Sequence, residues 1–253
     1  MDEPKIIEAL LPAVKYAGQE IIKIYKLKPT SLIKNDGSPV TIADKAAEKI
    51  LINKLTECFP KVPIVSEENP TSHSLTAPKE FFLVDPLDGT KEFLKFDGKG
   101  SFTVNVALIR DGVPVLGIVY APALDRLFYG TKVNGSFEEN KNQINKIEIR
   151  KLIRDSIVAV ASASHRDDET NSWLAQNKIS ETVSIGSSLK FCLVACGEAD
   201  VYPRFGPTME WDTAAGDAVL RFAGGRVKNL DGSIFKYGKK DYKNISFIAI
   251  GNF

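Results

Sequence analysis

The stretch Phe81-Phe82-Leu83-Val84-Asp85-Pro86-Leu87-Asp88-Gly89-Thr90 is the most informative segment of the chain for both its fold and its chemistry. Its first four residues are apolar and predict a buried strand. We expect that strand to stop at Asp85-Pro86, because proline cannot donate to a strand ladder. Asp88 follows three residues after Asp85, so both carboxylates can face one point across a tight turn. Gly89 then permits backbone conformations that other residues avoid.

This turn offers ligands for a hard metal ion. Two carboxylates at a strand exit, together with the free carbonyl of Leu87, are the oxygen donors that magnesium prefers. Thr90 begins a new segment whose backbone N–H groups are suited to a phosphate. Asp-Pro and Asp-Gly are also common in turns, so this segment taken alone leaves an ordinary turn equally open.

Three other segments place acids where they can join the same site. Glu67 and Glu68 follow a short apolar strand, although adjacent acids at a strand exit are usually only solvated. Asp212 precedes an alanine-rich helix, where helix capping explains an aspartate equally well. Asp44 lies in the first turn of another predicted helix, where the helix dipole favours acids whatever their function.

Hydrophobic periodicity predicts helices and strands in an order that suggests a layered protein. Apolar residues recur at helical spacing over residues 6–25 and 41–59, and further helices are predicted over 188–197 and 213–223. Short apolar runs predict strands at 62–65, 81–84, 102–109, 115–120, 127–130, 157–161 and 245–250, with a hairpin at Asp111-Gly112. The stretch 134–146 is polar and carries no predicted element.

This order predicts an α/β protein, layered in the α+β manner, with two lobes that meet near residues 135–155. Residues 1–150 would form an N-terminal lobe with an antiparallel sheet and most metal ligands. Residues 151–253 would form a C-terminal α/β lobe that carries Asp212. A chain of 253 residues with 43% hydrophobic residues is suited to such an arrangement.

Net charge and cysteine content argue against several classes of protein. The chain carries 33 Lys and Arg against 32 Asp and Glu, and a net charge of +1 gives no general argument for nucleic-acid or anionic-membrane binding. Cys58, Cys192 and Cys196 do not form a disulfide framework and are expected to be buried thiols. Without a signal-peptide pattern or 18 consecutive apolar residues, a cytoplasmic protein is expected. Peripheral association with the inner membrane stays open.

Taken together, the motifs resemble those of the inositol monophosphatase-like superfamily of lithium-sensitive phosphatases. The matching segments are, in order, Asp36-Gly37-Ser38-Pro39-Val40-Thr41 through Asp44, Glu67-Glu68, residues 85–90, and Trp211-Asp212-Thr213-Ala214-Ala215-Gly216. The resemblance covers nearly the whole chain. It implies an alternating αβαβα sandwich and a phosphatase that uses two to three magnesium ions.

The resemblance also implies roles for individual residues. The positions that correspond to metal ligands are Glu67, Asp85, the Leu87 carbonyl, Asp88 and Asp212. Asp44 and Thr90 correspond to the pair that orients and deprotonates the attacking water, while Gly89 and Thr90 also hold the phosphate. The family uses direct in-line attack by a metal-activated water, which disfavours Asp85 or Asp88 as a nucleophile.

Within the superfamily, the second half of the chain resembles the 3'(2'),5'-bisphosphate nucleotidase branch of the bacterial CysQ type. The resemblance lies in residues 162–165, 186–192 and 202–208, and in Lys91-Glu92-Phe93. It implies a small-molecule nucleotide substrate with two phosphates, of which one is cleaved to leave AMP. The positions that correspond to nucleotide contacts are His165, Ser187, Lys190 and Arg204. Ala163 departs from the pattern, because relatives often have Arg there.

Alternatives remain for these residues and for the function. His165 can be an ordinary loop histidine, Arg204 can pair with a surface acid, and Lys190 can simply line a helix. The chain can also be an inositol or other sugar-phosphate monophosphatase, or a nucleotide-binding protein without activity. Both a monomer and a homodimer are compatible with the sequence.

Overall fold

The computed structural model describes residues 2–34, 37, 39–98, 100–151, 156–162 and 167–252. Within these residues the helices are α1 Glu3–Lys26, α2 Ile42–Cys58, α3 Pro70–His73, α4 Thr90–Phe93, α5 Asp168–Gln176, α6 Leu189–Ala195 and α7 Ala214–Phe222. The strands are β1 Leu32–Ile33, β2 Pro39–Val40, β3 Ile64–Ser66, β4 Glu80–Asp88, β5 Thr103–Arg110, β6 Val113–Ala121, β7 Arg126–Thr131, β8 Gly135–Asn140, β9 Gln143–Ile147, β10 Val158–Ser162, β11 Glu181–Ile185, β12 Val201–Arg204, β13 Thr208–Met209, β14 Arg226–Asn229, β15 Lys243–Asn244 and β16 Phe247–Ile250.

Helices α1 and α2 form the first layer. The buried face of α1 carries apolar residues at helical spacing, among them Leu10, Val14 and Ile21. Helix α2 begins at a capping box. The Thr41 side chain accepts a hydrogen bond from a backbone N–H of the first turn, and the Asp44 side chain accepts one from the backbone N–H of Thr41. Both helices pack against the same face of a seven-stranded sheet.

The seven-stranded sheet has the order β3-β4-β5-β6-β7-β8-β9, with one parallel pair, β3 with β4, and antiparallel neighbours elsewhere. Strand β4 is apolar on both faces because both faces are covered. Phe82 and Val84 pack toward α1 and α2, whereas Phe81 and Leu83 pack toward the opposite side.

Helices α6 and α7 lie between that sheet and a five-stranded sheet of order β11-β10-β12-β16-β14. Val160 of β10 faces this central helix layer, while the neighbouring Ala159 packs with Leu174 of α5 on the outside. The layers are therefore helix, sheet, helix, sheet, helix, and the alternating αβαβα sandwich expected from the resemblance is confirmed. The division into two lobes stays a prediction.

Two sequence predictions about strands were wrong. Strand β4 does not stop at Pro86, because a β-bulge between Asp85 and Asp88 lets the proline lie where the ladder is interrupted. The polar stretch 134–146 forms the hairpin β8–β9. Its two turn residues, Lys141 and Asn142, have φ of 50° and 63°, which suits the type I′ turn that connects antiparallel strands. Within the described residues, no helix is long and apolar enough to cross a membrane.

Candidate active site

A cavity of about 710 Å³ opens where the end of β4 meets the N-terminal ends of α6 and α7. It brings together most of the predicted site residues. Those that line it are Glu67, Asp85, Leu87, Asp88, Gly89, Thr90, Ser187, Lys190, Arg204 and Asp212. Asp44 lies behind Thr90 and reaches the cavity through it. His165 lies outside the described residues.

The floor of the cavity is a cluster of carboxylates. One oxygen each from Glu67, Asp85 and Asp212 lies within 4.8 Å of the other two. Burial raises the pKa of Asp85 and Asp212 well above its ordinary value, and the repulsion between neighbouring acids raises it further. Asp88, which is half-buried, has its pKa raised to about 7 by burial, and Lys190 opposes that rise.

This cluster fits a divalent cation. Its donors are carboxylate oxygens, the type preferred by hard cations. Asp85 Oδ2 is buried and has no hydrogen-bond partner among the described residues, so one oxygen of the most buried acid is available to a ligand. A cation placed among these oxygens would offset the repulsion that raises their pKa values.

The bulge in β4 gives the aspartates their separation. Asp85 pairs with Asn105 and Asp88 with Thr103, so three steps on β4 match two on β5. Asp85 Oδ1 accepts a hydrogen bond from Leu87 N at 3.0 Å, which holds the tight turn predicted between the two acids. Gly89 follows with a φ of 89°, a conformation that requires glycine.

Asp212 is brought to the cluster by a turn before α7. Its Oδ2 accepts from Met209 N at 2.7 Å, so the carboxylate turns back toward the preceding residues. It does not cap the helix, whose N-cap is Thr213. Glu210, two residues before Asp212, is fully buried and accepts hydrogen bonds from the N–H groups of Gly238 and Lys239 at 2.7 and 2.9 Å, which anchors this turn.

Asp44 and Thr90 come together across 46 residues of sequence. Thr90 Oγ1 lies 3.3 Å from Asp44 Oδ1 and 3.2 Å from the Leu87 carbonyl. The other Asp44 oxygen, Oδ2, accepts from both the N–H and the hydroxyl of Thr41 at 2.7 Å. Burial raises the pKa of Asp44, although the bonds from Thr41 oppose the rise. The capping box therefore aims Oδ1 at the threonine.

Two cationic side chains, Lys190 and Arg204, also line the cavity. Lys190 is 5% exposed, lies over the Tyr202 ring at 5.2 Å, and donates to the Ser187 carbonyl at 2.6 Å. Burial lowers its pKa to about 8, and Asp88 opposes this. Arg204 donates to the carbonyls of Gly206 and Pro207 at 3.1 and 3.0 Å. Ser187 has a φ of 56°, an uncommon value for serine.

Sequence reasoning missed several residues that contact the predicted site. Lys34 donates to Glu67 Oε1 at 2.7 Å and also to Glu68, so an ammonium group neutralises part of the cluster. Burial raises the pKa of Glu68 to about 7 despite this pairing. Thr103 and Asn105 lie in a strand that is otherwise apolar up to Ile109. Because buried polar residues need hydrogen-bond partners, their presence in this strand could have indicated from the sequence that they contact other polar groups.

Comparisons with known proteins agree with this architecture. A family model described as "Inositol monophosphatase family" matches residues 2–251. The chain is 43% identical over 239 residues to the 3'(2'),5'-bisphosphate nucleotidase CysQ of Salmonella typhimurium, covering 93% of this chain and 95% of that protein. It is 42% identical over 239 residues to the CysQ of Escherichia coli K12, with the same coverage.

The crystal structure of CysQ from Bacteroides thetaiotaomicron, a bacterial member of the inositol monophosphatase family, has the same fold. It superposes with a TM-score of 0.86 at 36% identity and covers 98% of each chain. The family match over almost every residue, the curated relatives above 40% identity and this structural likeness all lead to one assignment: the chain belongs to the inositol monophosphatase family.

Proposed function

We propose that this chain is a metal-dependent phosphatase that hydrolyses the 3'(2')-phosphate of adenosine 3'(2'),5'-bisphosphate, giving AMP and phosphate. One observation carries the proposal: a single cavity is lined both by a carboxylate cluster and by the cations of Lys190 and Arg204. The family is metal-dependent, and the relatives described above carry the name of this nucleotidase.

The residues that would hold the metal are Glu67, Asp85, the Leu87 carbonyl, Asp88 and Asp212. We propose magnesium, with two to three ions, because every one of these donors is an oxygen. A bound divalent cation supplies positive charge that makes water more acidic and offsets the charge of a leaving oxygen. The repulsion within the cluster supports this assignment, because a structural cluster of like charges without a cation would only destabilise the fold.

Thr90 and Asp44 are the proposed acceptors of the proton from the attacking water. The hydroxyl of Thr90 can pass its own proton to Asp44 Oδ1, at 3.3 Å, while its oxygen accepts one from the water. The raised pKa of Asp44 makes this carboxylate a better base at neutral pH. Because Oδ2 is held by Thr41, the geometry leaves Oδ1 for this task.

Lys190 and Arg204 are proposed to hold the phosphate that is not cut. Their side chains carry only donors, so they bind an anion without attacking it. Ser187 adds a hydroxyl close to Lys190, and the backbone N–H groups at Gly89 and Thr90 would hold the phosphate that is cleaved. His165 is proposed as a contact to the base or sugar.

The testing experiment compares phosphate release from adenosine 3',5'-bisphosphate with release from inositol 1-phosphate, at equal concentrations and with magnesium. We expect the nucleotide to be the better substrate by at least about tenfold in kcat/KM, since each good charge-assisted contact contributes about 1.5–3 kcal/mol. A preference for the inositol ester would favour the sugar-phosphate alternative and defeat the proposal. Adenosine 3'-phosphate 5'-phosphosulfate in the same assay tests a second nucleotide.

A matched pair of variants locates the recognition. Lys190→Met should raise KM for the nucleotide about tenfold or more and change kcat/KM for inositol 1-phosphate far less. Lys132→Met, at an exposed lysine, should change neither. Equal losses on both substrates would show that Lys190 does not recognise the second phosphate. We further propose a cytoplasmic enzyme, and size-exclusion chromatography distinguishes a monomer from a homodimer.

A further inference from the structure

Strand β5 carries two polar residues inside an otherwise apolar core segment. Thr103 and Asn105 are 0% and 1% exposed, and Ser188, at the start of α6, is 2% exposed. Burying an amide and two hydroxyls costs free energy unless each donor and acceptor finds a partner. Their arrangement therefore calls for an explanation beyond packing.

The three side chains form a closed ring of hydrogen bonds. Asn105 Nδ2 donates to Thr103 Oγ1 at 3.2 Å, Thr103 Oγ1 lies 2.8 Å from Ser188 Oγ, and Ser188 Oγ donates to Asn105 Oδ1 at 2.5 Å. Each hydroxyl has a single proton, so in this ring each one donates once and accepts once. The ring is satisfied by its own members, and removing any one of them leaves the other two with an unmet bond.

The ring lies directly beside the carboxylates of the cavity. Asn105 is the cross-strand neighbour of Asp85, and Thr103 is the cross-strand neighbour of Asp88. On the other side of the ring, Ser188 N donates to Asp88 Oδ2 at 2.5 Å. A short bond from a backbone N–H to a carboxylate is directional, so the position of Ser188 sets where Asp88 Oδ2 points.

We propose that Asn105 is a positioning residue that, through Ser188, fixes the orientation of Asp88 for metal binding. The inference rests on the metal role of Asp88 within the proposed function. The ring links the seven-stranded sheet to the first residue before α6, and the Ser188 N–H then transmits that placement to the carboxylate. Without Asn105, the Ser188 hydroxyl must seek another acceptor, and the 2.5 Å bond to Asp88 loses its fixed donor.

The ring also lies close to the bulge in β4. The ladder of β4 is interrupted after Asp85 and resumes at Asp88, which pairs with Thr103. Asp88 is also the last residue of β4, so no later strand residue holds its C-terminal side in the ladder. The hydrogen bond from Ser188 N therefore holds the Asp88 carboxylate from outside the sheet, at the end of the strand.

The test measures Mn²⁺ affinity without substrate, by electron paramagnetic resonance of the free ion. Groups that orient metal ligands typically change affinity 10–100-fold when removed. We expect Asn105→Ala and Thr103→Val to raise the Mn²⁺ Kd about tenfold, and Thr103→Ser, which keeps the hydroxyl, to stay within about twofold of the unmodified protein. Thr103→Val keeps the shape of the side chain and guards against a failure of Asn105→Ala to fold.

The matched control is Val104→Ala, because Val104 lies in the same strand, is 0% exposed and packs on the opposite face. It should lower the Tm in EDTA while leaving the Mn²⁺ Kd within about twofold. The double variant Asn105→Ala/Ser188→Ala should bind no more weakly than Asn105→Ala alone, since both changes open the same ring.

Three results would overturn the inference. The first is a folded Asn105→Ala protein with an unchanged Mn²⁺ Kd, and the second is a Val104→Ala control that weakens binding just as much. The third is a failure of the unmodified protein to bind Mn²⁺, which would remove the metal site as well. If Mn²⁺ binds as expected but another phosphate ester is the better substrate, only the proposed substrate is lost.

Discussion

Replacing Asp88 by asparagine should stabilise the protein in the absence of metal, although it removes a proposed metal ligand. Burial and neighbouring acids raise the pKa of Asp88 from the ordinary 3.8 to about 7. A rise of this size corresponds to about 4 kcal/mol of unfavourable free energy once the group is ionised. Because Asp88 is half-buried beside an open cavity, water screens part of this cost, and we expect about 2 kcal/mol.

The sign of the pH dependence follows from proton binding. Between about pH 4 and pH 7 the folded metal-free protein keeps a proton on Asp88, whereas the unfolded chain has lost it. Stability therefore falls as pH rises through this window, and the penalty is complete above the folded pKa of about 7. Asparagine has no such proton, so the advantage of Asp88→Asn should be about 2 kcal/mol at pH 8 and below about 1 kcal/mol at pH 5.

Differential scanning fluorimetry in EDTA measures this effect. For a chain of this size, about 2 kcal/mol corresponds to a Tm higher by about 4–8 °C at pH 8. With magnesium present the order should reverse, because the unmodified protein gains stability from bound metal and the variant loses a ligand. Asp111→Asn is the matched control, since Asp111 is exposed and also precedes a glycine. A variant less stable than the unmodified protein in EDTA at pH 8 would refute the reasoning.

Three further predictions concern other parts of the structure. Thr90→Ala should lower kcat about 100-fold with little change in KM, and Thr90→Ser should keep most of the rate, because the proposed proton transfer needs a hydroxyl that faces Asp44. Steady-state kinetics on the nucleotide tests this, and an unchanged kcat in Thr90→Ala would contradict it. Lys34→Met should lower metal-free stability at pH 8 by about 1 kcal/mol, since two glutamates lose their ammonium partner, and a urea titration in EDTA that shows no loss would argue against this pairing. Gly117→Ala should lower the free energy of unfolding in urea by about 2 kcal/mol, because its new methyl carbon would lie 2.4 Å from a backbone oxygen of α7. Gly251→Ala, where the nearest atoms are 3.5 Å away, should lower it far less, and similar losses for both variants would count against the close approach at Gly117.

Much of the fold could be predicted because its signals are local. The helical spacing of apolar residues in α1 and the fully apolar start of β4 are features of short segments. The hairpin β8–β9 escaped prediction because its strands are largely polar. The extension of β4 past Pro86 also escaped, since a bulge is defined by the partner strand and not by the strand that carries it.

The candidate site likewise contains local features that could be predicted from the sequence and long-range contacts that could not. The tight turn from Asp85 to Asp88 lies within four residues, and its hydrogen bond from Leu87 N agrees with the turn expected from sequence. Lys34 lies 33 residues from Glu67, and Asn105 lies 83 residues from Ser188, so no short motif could join them. Such pairs depend on which elements become neighbours in the folded chain. The sequence supplies the residue types, and only the tertiary structure supplies the pairs.

The strongest argument that the four acids of the candidate site act together is the unfavourable free energy of burying them beside one another. Taken one at a time, Glu67 could be solvated, Asp212 could cap a helix, and Asp85 and Asp88 could belong to an ordinary turn. In the structure Asp212 does not cap α7, and one buried oxygen of Asp85 has no hydrogen-bond partner in the part of the chain that the structure describes. Burial and repulsion raise the pKa values of Asp85, Asp88 and Asp212, which a fold selected for stability alone would avoid. A cluster that destabilises the empty protein and has Lys34 as a partial counter-ion is the arrangement expected where a divalent cation is to bind.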